Sequence, residues 1–205
     1  MNFDSKAKSW DLNPVTLERT LAIADAIRTK VPLEPWFSAF EYGCGTGLLS
    51  FHLQPYVKNI CLADTSDGML EVLREKISTS AVKNMTPMKM DLLSDTLPAG
   101  QFDLIYTSMT LHHIKNIDQI LNLFQSMLKE SGYLCIADLD KEDGSFHEDP
   151  FDGHLGFDRE DLKNEVHRQK FENIQFSTVY EMTKIINNQP KMFPIFLMIA
   201  QKATL

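Results

Sequence analysis

The sequence has neither the long hydrophobic runs of a membrane protein nor the paired cysteines of a disulfide-bonded one. No apolar run reaches the roughly 18 residues that a membrane-spanning helix needs, and the first residues show no signal-peptide pattern. The three cysteines, Cys44, Cys61 and Cys135, are odd in number and far apart, which predicts reduced thiols rather than disulfides or a zinc site. We therefore expect a cytoplasmic protein that neither binds a membrane nor holds a metal ion.

Clustered positive charge is also missing. The chain carries 28 acidic and 20 basic residues, a net charge of −8, and no run of Lys and Arg stands out. Because nucleic-acid binding depends mainly on neutralising phosphates, the composition argues against a nucleic-acid partner and favours a small molecule. The length of 205 residues and the hydrophobic content of 43% fit a single domain over residues 1–205. The sequence does not indicate an oligomeric state.

Strand-like and helix-like segments alternate along the chain, which predicts an α/β domain with a mainly parallel sheet. Asn13 and Pro14 are typical of a helix start, so residues 1–30 are expected to form an N-terminal helical cap. The predicted strands lie at about residues 36–42, 57–63, 85–90, 102–107 and 133–137, and helices are expected at 116–130 and 158–170. A polar connection at 140–157 precedes a hairpin, whose strands cover 174–182 and 193–200 around a turn-rich segment at 187–191.

The segment from Glu41 to Gly47, which reads E-Y-G-C-G-T-G, is the most informative part of the sequence. It follows a predicted buried strand and precedes a predicted helix. Glycine tolerates positive φ and has no Cβ, so a ligand can lie against the backbone of such a turn. The amide groups at the start of the helix then face that ligand.

The spacing E-x-G-x-G-x-G resembles the first motif of class I S-adenosylmethionine (SAM) methyltransferases, and the order of elements is similar from about residue 10 onward. The resemblance implies a Rossmann-like, doubly wound, seven-stranded and mainly parallel sheet with an antiparallel closing hairpin. It also implies SAM as cofactor and S-adenosylhomocysteine (SAH) as product. Residues 107–114 lack the Asn/Asp-Pro-Pro-Tyr/Phe signature of methyltransferases that modify DNA or glutamine. The pattern looks more like the "type 11" group, which implies a small-molecule acceptor and a 140–157 connection on the substrate side.

Polar residues stand at the carboxyl ends of several predicted strands, where open α/β sheets bind their ligands. The family places an acid at Asp64 to accept from the ribose hydroxyls, and an acid at Asp91 to accept from the adenine amino group next to the Leu92 amide. Glu41 either holds the amino group of the cofactor or tethers the turn, and Trp10 either covers the cofactor or packs against the first helix. The residues expected to bind the cofactor are Trp10, Glu41, Gly43, Cys44, Gly45, Gly47, Asp64, Thr65, Met69, Asp91, Leu92 and Thr107.

Methyl transfer needs a catalytic base only where the acceptor must lose a proton. The candidates are His112 and His113, just beyond the fourth strand, and Asp138, at the end of the fifth. A packed or hydrogen-bonded structural role is the alternative for each histidine. Residues 138–152 contain seven acids and one base, so this connection either favours a cationic acceptor or is a solvated loop.

Two hypotheses about the function remain open, one for an enzyme and one for a binding module. The first is an enzyme that transfers a methyl group from SAM to a small-molecule acceptor. The second is a methyltransferase-like module or partner subunit that binds SAM or SAH without turnover. A nucleotide-dependent oxidoreductase is disfavoured because its glycine turn usually reads G-x-G-x-x-G.

Overall fold

A computed structural model describes residues 3–147 and 151–204. The helices in chain order are α1 (Phe3–Trp10), α2 (Pro14–Lys30), α3 (Leu48–Leu53), α4 (Asp67–Thr79), α5 (Ile117–Met127) and α6 (Arg159–Arg168). The strands are β1 (Ser38–Tyr42), β2 (Asn59–Asp64), β3 (Met85–Lys89), β4 (Phe102–Ser108), β5 (Leu128–Leu139), β6 (Phe171–Ile186) and β7 (Gln189–Lys202). In the described part of the chain, no helix combines the length and the hydropathy that crossing a membrane requires.

The seven strands form one sheet in the order β3-β2-β1-β4-β5-β7-β6. The pairs among β1 to β5 are parallel, and β7 pairs antiparallel with both β5 and β6. The predicted fold class, including the antiparallel closing hairpin, is therefore confirmed. The strand order reverses between β1 and β4, and ligands of such sheets bind at that switch point.

Apolar side chains cover both faces of the sheet because most strands are hydrophobic along their whole length. On one face α2, α3 and α4 pack against the sheet through residues such as Ile23, Leu53 and Leu70. On the other face α5 and α6 pack through Phe124 and Val166. With the body of the sheet filled on both sides, the strand ends remain as the place for a site.

Differences from the predicted boundaries with a clear physical reason lie at the end of α5 and at the hairpin turn. Helix α5 ends at Met127 rather than near residue 130, because Leu128 is fully buried and pairs with Phe102 as the first residue of β5. The hairpin turn needs only Asn187 and Asn188, both at positive φ (51° and 62°), which is typical of a two-residue β-turn. The rest of the expected turn already pairs with β6.

Gly43, the first glycine of the turn after β1, should tolerate substitution less than the other glycines of that turn. A Cβ at Gly43, which has φ +70°, would lie 2.2 Å from Oγ1 of Thr110. Gly100 has φ +97° but no atom within 4 Å of such a Cβ. We expect Gly43→Ala to lower the free energy of unfolding by about 2–4 kcal/mol. The control Gly100→Ala should cost only about 1–2 kcal/mol. Urea titration measures both, and equal losses would show that the contact with Thr110 does not matter.

Candidate active site

A cavity of about 1080 Å³ lies at the carboxyl ends of β1 and β2 and extends past β4 toward the end of β6. Helices α1 and α2 contribute to its wall, as do residues 146, 147 and 151. Ligand-binding cavities commonly measure about 300–1,000 Å³, so this cavity has room for a cofactor together with a second small molecule. The switch point of the sheet thus opens into a space of suitable size.

The glycine turn forms the floor of this cavity near β1. The amides of Gly43 and Cys44 donate to the carbonyl of Ala63 at 2.8 and 3.0 Å, which fastens the turn to the end of β2. A Cβ on Gly45 would meet only Sδ of Met69, at 3.9 Å, so the backbone there is open to the cavity. Gly47 instead allows α3 to pack, because its Cβ would lie 2.5 Å from Cδ1 of Leu73. Gly45 therefore leaves space for a ligand, whereas Gly47 leaves space for the side chain of Leu73.

Two carboxylates near the glycine turn can accept more hydrogen bonds than they do within the protein. Asp64 accepts from the amides of Gly45, at 2.7 Å, and Ser66, at 2.8 Å. Asp91 accepts from the Leu93 amide at 3.0 Å through Oδ1, and Tyr42 Oη lies 3.4 Å from the same oxygen. A carboxylate has about four lone-pair positions, so both side chains can accept further hydrogen bonds from a ligand in the cavity. Asp64 has a second role that the sequence did not reveal, since it also holds the glycine turn in place.

Glu41 lines the cavity but is almost fully buried. Burial raises the pKa of its carboxyl to about 8, while the hydrogen bond from the Ser50 hydroxyl works in the opposite direction. The Ser50 hydroxyl also contacts the Tyr106 hydroxyl, so all three groups share one buried network. Burial therefore favours the protonated form of Glu41, whereas a cationic ligand group nearby would favour its ionised form.

The N-terminal segment closes this part of the cavity through contacts that the sequence did not indicate. Asp11 accepts from the Thr46 hydroxyl of the glycine turn and from Nζ of Lys76, at 2.6 Å. Asp4 accepts from the Ser66 hydroxyl and, at 2.9 Å, from the Gly68 amide at the start of α4. Isolated acids in a polar segment carry no pattern that predicts such partners.

A cluster of histidines occupies another part of the cavity, beyond β4. Nδ1 of His112 lies 2.6 Å from Oδ1 of Asp138, which also accepts from the His112 amide through Oδ2 at 3.1 Å. Both side chains are buried, and a carboxylate at Nδ1 favours the tautomer whose Nε2 carries a lone pair. Burial lowers the pKa of His113 to about 4, with a further contribution from His112. His147 stacks on Phe151 with ring centroids 3.6 Å apart.

Most of the residues predicted to form the site line this one cavity. They are Trp10, Glu41, Gly43, Cys44, Gly45, Asp64, Thr65, Met69, Asp91, His112 and His113. Four others do not reach its wall: Gly47 supports α3, Leu92 is buried in the core, Thr107 is buried with an unpartnered hydroxyl, and Asp138 lies behind His112. Alternation along β4 explains Thr107, since the next residue, Ser108, lines the cavity in its place. Among the described residues, no group of three or more His, Cys, Asp or Glu side chains is arranged to hold a metal ion.

Comparison with known proteins identifies the family. A family model described as a methyltransferase domain matches residues 22–179. The chain belongs to the class I SAM-dependent methyltransferase family. Its cofactor is SAM, and the domain is of the SAM-dependent methyltransferase class.

Curated relatives and solved structures agree with this assignment. An uncharacterized methyltransferase of Schizosaccharomyces pombe is 35% identical over 117 residues, which cover 54% of this chain and 41% of that protein. Phosphoethanolamine N-methyltransferase 1 of Zea mays is 27% identical over 154 residues, 73% of this chain and 30% of that protein. The chain thus spans less than half the length of these relatives. Phosphoethanolamine N-methyltransferase 2 of Haemonchus contortus, solved with SAM, has the same fold, with a TM-score of 0.76 and 14% identity. The match covers 98% of this chain and 57% of that chain.

The residues of this cavity fit SAM. The Gly45 backbone faces open space, and three acids, Glu41, Asp64 and Asp91, provide acceptors for the amino and hydroxyl groups that SAM presents. The ribose role of Asp64, the adenine role of Asp91 and the amino-group role of Glu41 are predictions that this arrangement supports. Trp10 and Met69, both at the wall, provide apolar surface beside them.

Glu41 should make stability depend on pH in a specific direction. Its pKa is 4.5 as a free side chain and about 8 when folded, so between these values only the folded state keeps the proton. Stability therefore falls by about 1.4 kcal/mol per pH unit as pH rises through this window. The variant Glu41→Gln cannot lose a proton, so its stability relative to the wild type should increase from pH 5 to pH 8. Parallel curves of unfolding free energy against pH would contradict the assignment.

Proposed function

We propose that this chain transfers a methyl group from SAM to a small-molecule acceptor. The observation that carries the proposal is that one cavity joins the glycine turn to the histidine cluster. A cofactor at the turn and an acceptor at the histidines would then lie side by side, as a direct transfer between them requires.

The walls of the cavity favour a small acceptor. Helix α1 covers the side of the glycine turn, and Phe146, His147 and Phe151 cover the side of the histidines. A folded protein or a nucleic-acid duplex cannot enter such a space, and the net charge of −8 adds to the argument against nucleic acid. The maize relative named a phosphoethanolamine N-methyltransferase acts, by its name, on a small metabolite.

When bound, SAM supplies an electrophilic methyl group that an acceptor atom takes by in-line displacement. The protein contributes position and proton transfer. Asp64 and Asp91 would hold the cofactor, and the turn that Asp64 fastens would fix its distance from the histidines. His112, whose Nδ1 faces Asp138, would accept at Nε2 the proton that the acceptor loses. Asp138 acts as a positioning residue, because it fixes the tautomer and the orientation of His112 without reaching the cavity.

The experiment that tests the proposal supplies the purified protein with methyl-labelled SAM and a metabolite extract. Labelled product identified by mass spectrometry, absent when the protein is omitted, is the expected result. The alternative function, a module that binds SAM or SAH without turnover, predicts cofactor binding with no labelled product. If several independent extracts give no product with a protein that binds SAM, the alternative holds and the enzyme proposal fails.

A base at His112 predicts a loss of turnover that leaves the cofactor site intact. We expect His112→Gln to lower kcat by roughly 100-fold to 10,000-fold, with SAM affinity retained. Asp138→Asn should also lower kcat, because the amide can present the wrong group to Nδ1. His52→Gln is the control, since His52 is exposed and lies outside the cavity wall. A His112→Gln variant with wild-type kcat would show that His112 is structural.

A further inference from the structure

Arg19 brings a positive charge to the cavity from helix α2, which no sequence motif indicates. Its Nε is buried and has no hydrogen-bond partner. In the described part of the chain, no carboxylate lies within ion-pair distance of its guanidinium, although the charge of Asp138 is near enough to influence it. A guanidinium keeps its charge at all ordinary pH values.

A buried guanidinium nitrogen without a hydrogen-bond partner is costly. Taking a charged group out of water without a hydrogen-bonding partner costs several kcal/mol in typical cases. Other arginines of the chain avoid that cost: Arg159 binds both oxygens of Asp140 at 2.6 Å, and exposed Arg28 binds Asp25 and the Tyr56 hydroxyl. The exception, Arg19, lines the cavity, where a ligand could supply the missing partner.

The acids of the 140–152 connection do not compensate Arg19. Asp140 is bound to Arg159, Asp143 to Lys191, and Asp152 to Lys115, while Glu142 accepts from the amides of Gly144 and Phe146. Glu148 and Asp149 lie outside the described residues. None of the described acids of this connection lines the cavity, so the hypothesis that an acidic lid selects a cationic acceptor finds no support in the described residues.

Two bases, Arg19 and Lys184, reach the wall in this part of the cavity, whereas the nearby acids Asp138 and Glu142 do not line it. Lys184, from β6, also lines the wall, and its Nζ donates to the Phe146 carbonyl at 2.7 Å. Nε2 of neighbouring His147 is buried and unpartnered, like Nε of Arg19. The acids at the wall, Glu41, Asp64 and Asp91, all belong to the side of the glycine turn. At the wall, the acids therefore lie at the glycine turn and Arg19 and Lys184 lie near the histidines, while Lys6 and Lys115 are the other bases at the wall.

We propose that Arg19 binds an oxyanion of the acceptor, a carboxylate or a phosphate monoester, and thereby determines which small molecules this methyltransferase accepts. The inference rests on the proposed function and names its substrate class. The planar guanidinium can donate two parallel hydrogen bonds to either group. Lys184 adds positive potential on the same side, and the acceptor atom that receives the methyl group lies elsewhere on the molecule, toward His112.

Arg19 has one competing role, which is to support the charge of Asp138 from a distance. Substitution by lysine separates the two. Arg19→Lys keeps the positive charge, and with it any long-range support of Asp138, but loses the planar pair of donors. Arg19→Gln loses both, and Arg28→Gln is the matched control on the exposed face of the same helix.

The test uses a metabolite extract divided by anion exchange into a retained, anionic fraction and an unretained fraction. SAH-loaded protein is incubated with each fraction, and bound metabolites are recovered by ultrafiltration and identified by mass spectrometry. We expect the wild type to bind compounds from the retained fraction. For these acceptors, Arg19→Gln should weaken binding and lower kcat/KM by about 100-fold. Arg19→Lys should show a large part of the same losses in binding and in kcat/KM. SAM affinity in both variants and all properties of Arg28→Gln should stay unchanged.

Each outcome decides a different point. Acceptors in the unretained fraction, or Arg19→Gln that binds the anionic acceptor like the wild type, would overturn the role of Arg19. Full activity of Arg19→Lys with a loss of activity in Arg19→Gln would show that Arg19 supports the charge of Asp138 and does not bind the acceptor. Anions that bind through Arg19 but never gain a labelled methyl group would refute the proposed function and leave the anion site standing. Treatment of the retained fraction with phosphatase distinguishes the sources, because only a carboxylate acceptor survives it.

Discussion

The attachment of the glycine turn to the end of β2 is the constraint on which the rest of the site depends. Strand β1 must stop, reverse direction at positive φ, and start α3 within five residues. The turn keeps that shape because the Ala63 carbonyl and the Asp64 carboxylate accept its amides. One carboxylate therefore shapes the floor of the cavity while keeping lone pairs for a ligand, which couples cofactor binding to the geometry of the turn.

The division of charge around the cavity follows from the topology. The acids come from the ends of β1, β2 and β3, on one side of the switch point. Arg19 and Lys184 come from α2 and β6, and helix α2 reaches this side because it packs on the closing hairpin. Asp138 and His112, at the ends of β5 and β4, lie between these sets. The order of strands in the sheet thus separates a side suited to the amino and hydroxyl groups of a cofactor from a side suited to an anion.

Part of this arrangement could be predicted from the sequence, because it depends on residues next to strands that the sequence reveals. The glycine turn, Asp64 and Asp91 stand at fixed positions relative to strands that apolar runs reveal, so their meeting at one edge could be predicted. The pairing of His112 with Asp138 could not, because His112 lies beyond the end of β4 in a short 3-10 turn, whose conformation no apolar run reveals. Arg19 gave no signal either, since an arginine on an amphipathic helix is ordinarily a solvated side chain.

Calorimetric titration of the wild type and of Asp64→Ala with SAM, SAH and NAD tests whether the tethered glycine turn binds the cofactor. Asp67→Ala is a suitable control, because Asp67 is an exposed acid three residues away that binds Lys89 on the surface. We expect the wild type and the control to bind SAM and SAH but not NAD, and Asp64→Ala, while still folded, to bind both ligands about tenfold more weakly or worse. Equal affinity in a folded Asp64→Ala protein, or binding of NAD in preference to SAM, would contradict the central claim that the tethered turn is a SAM site.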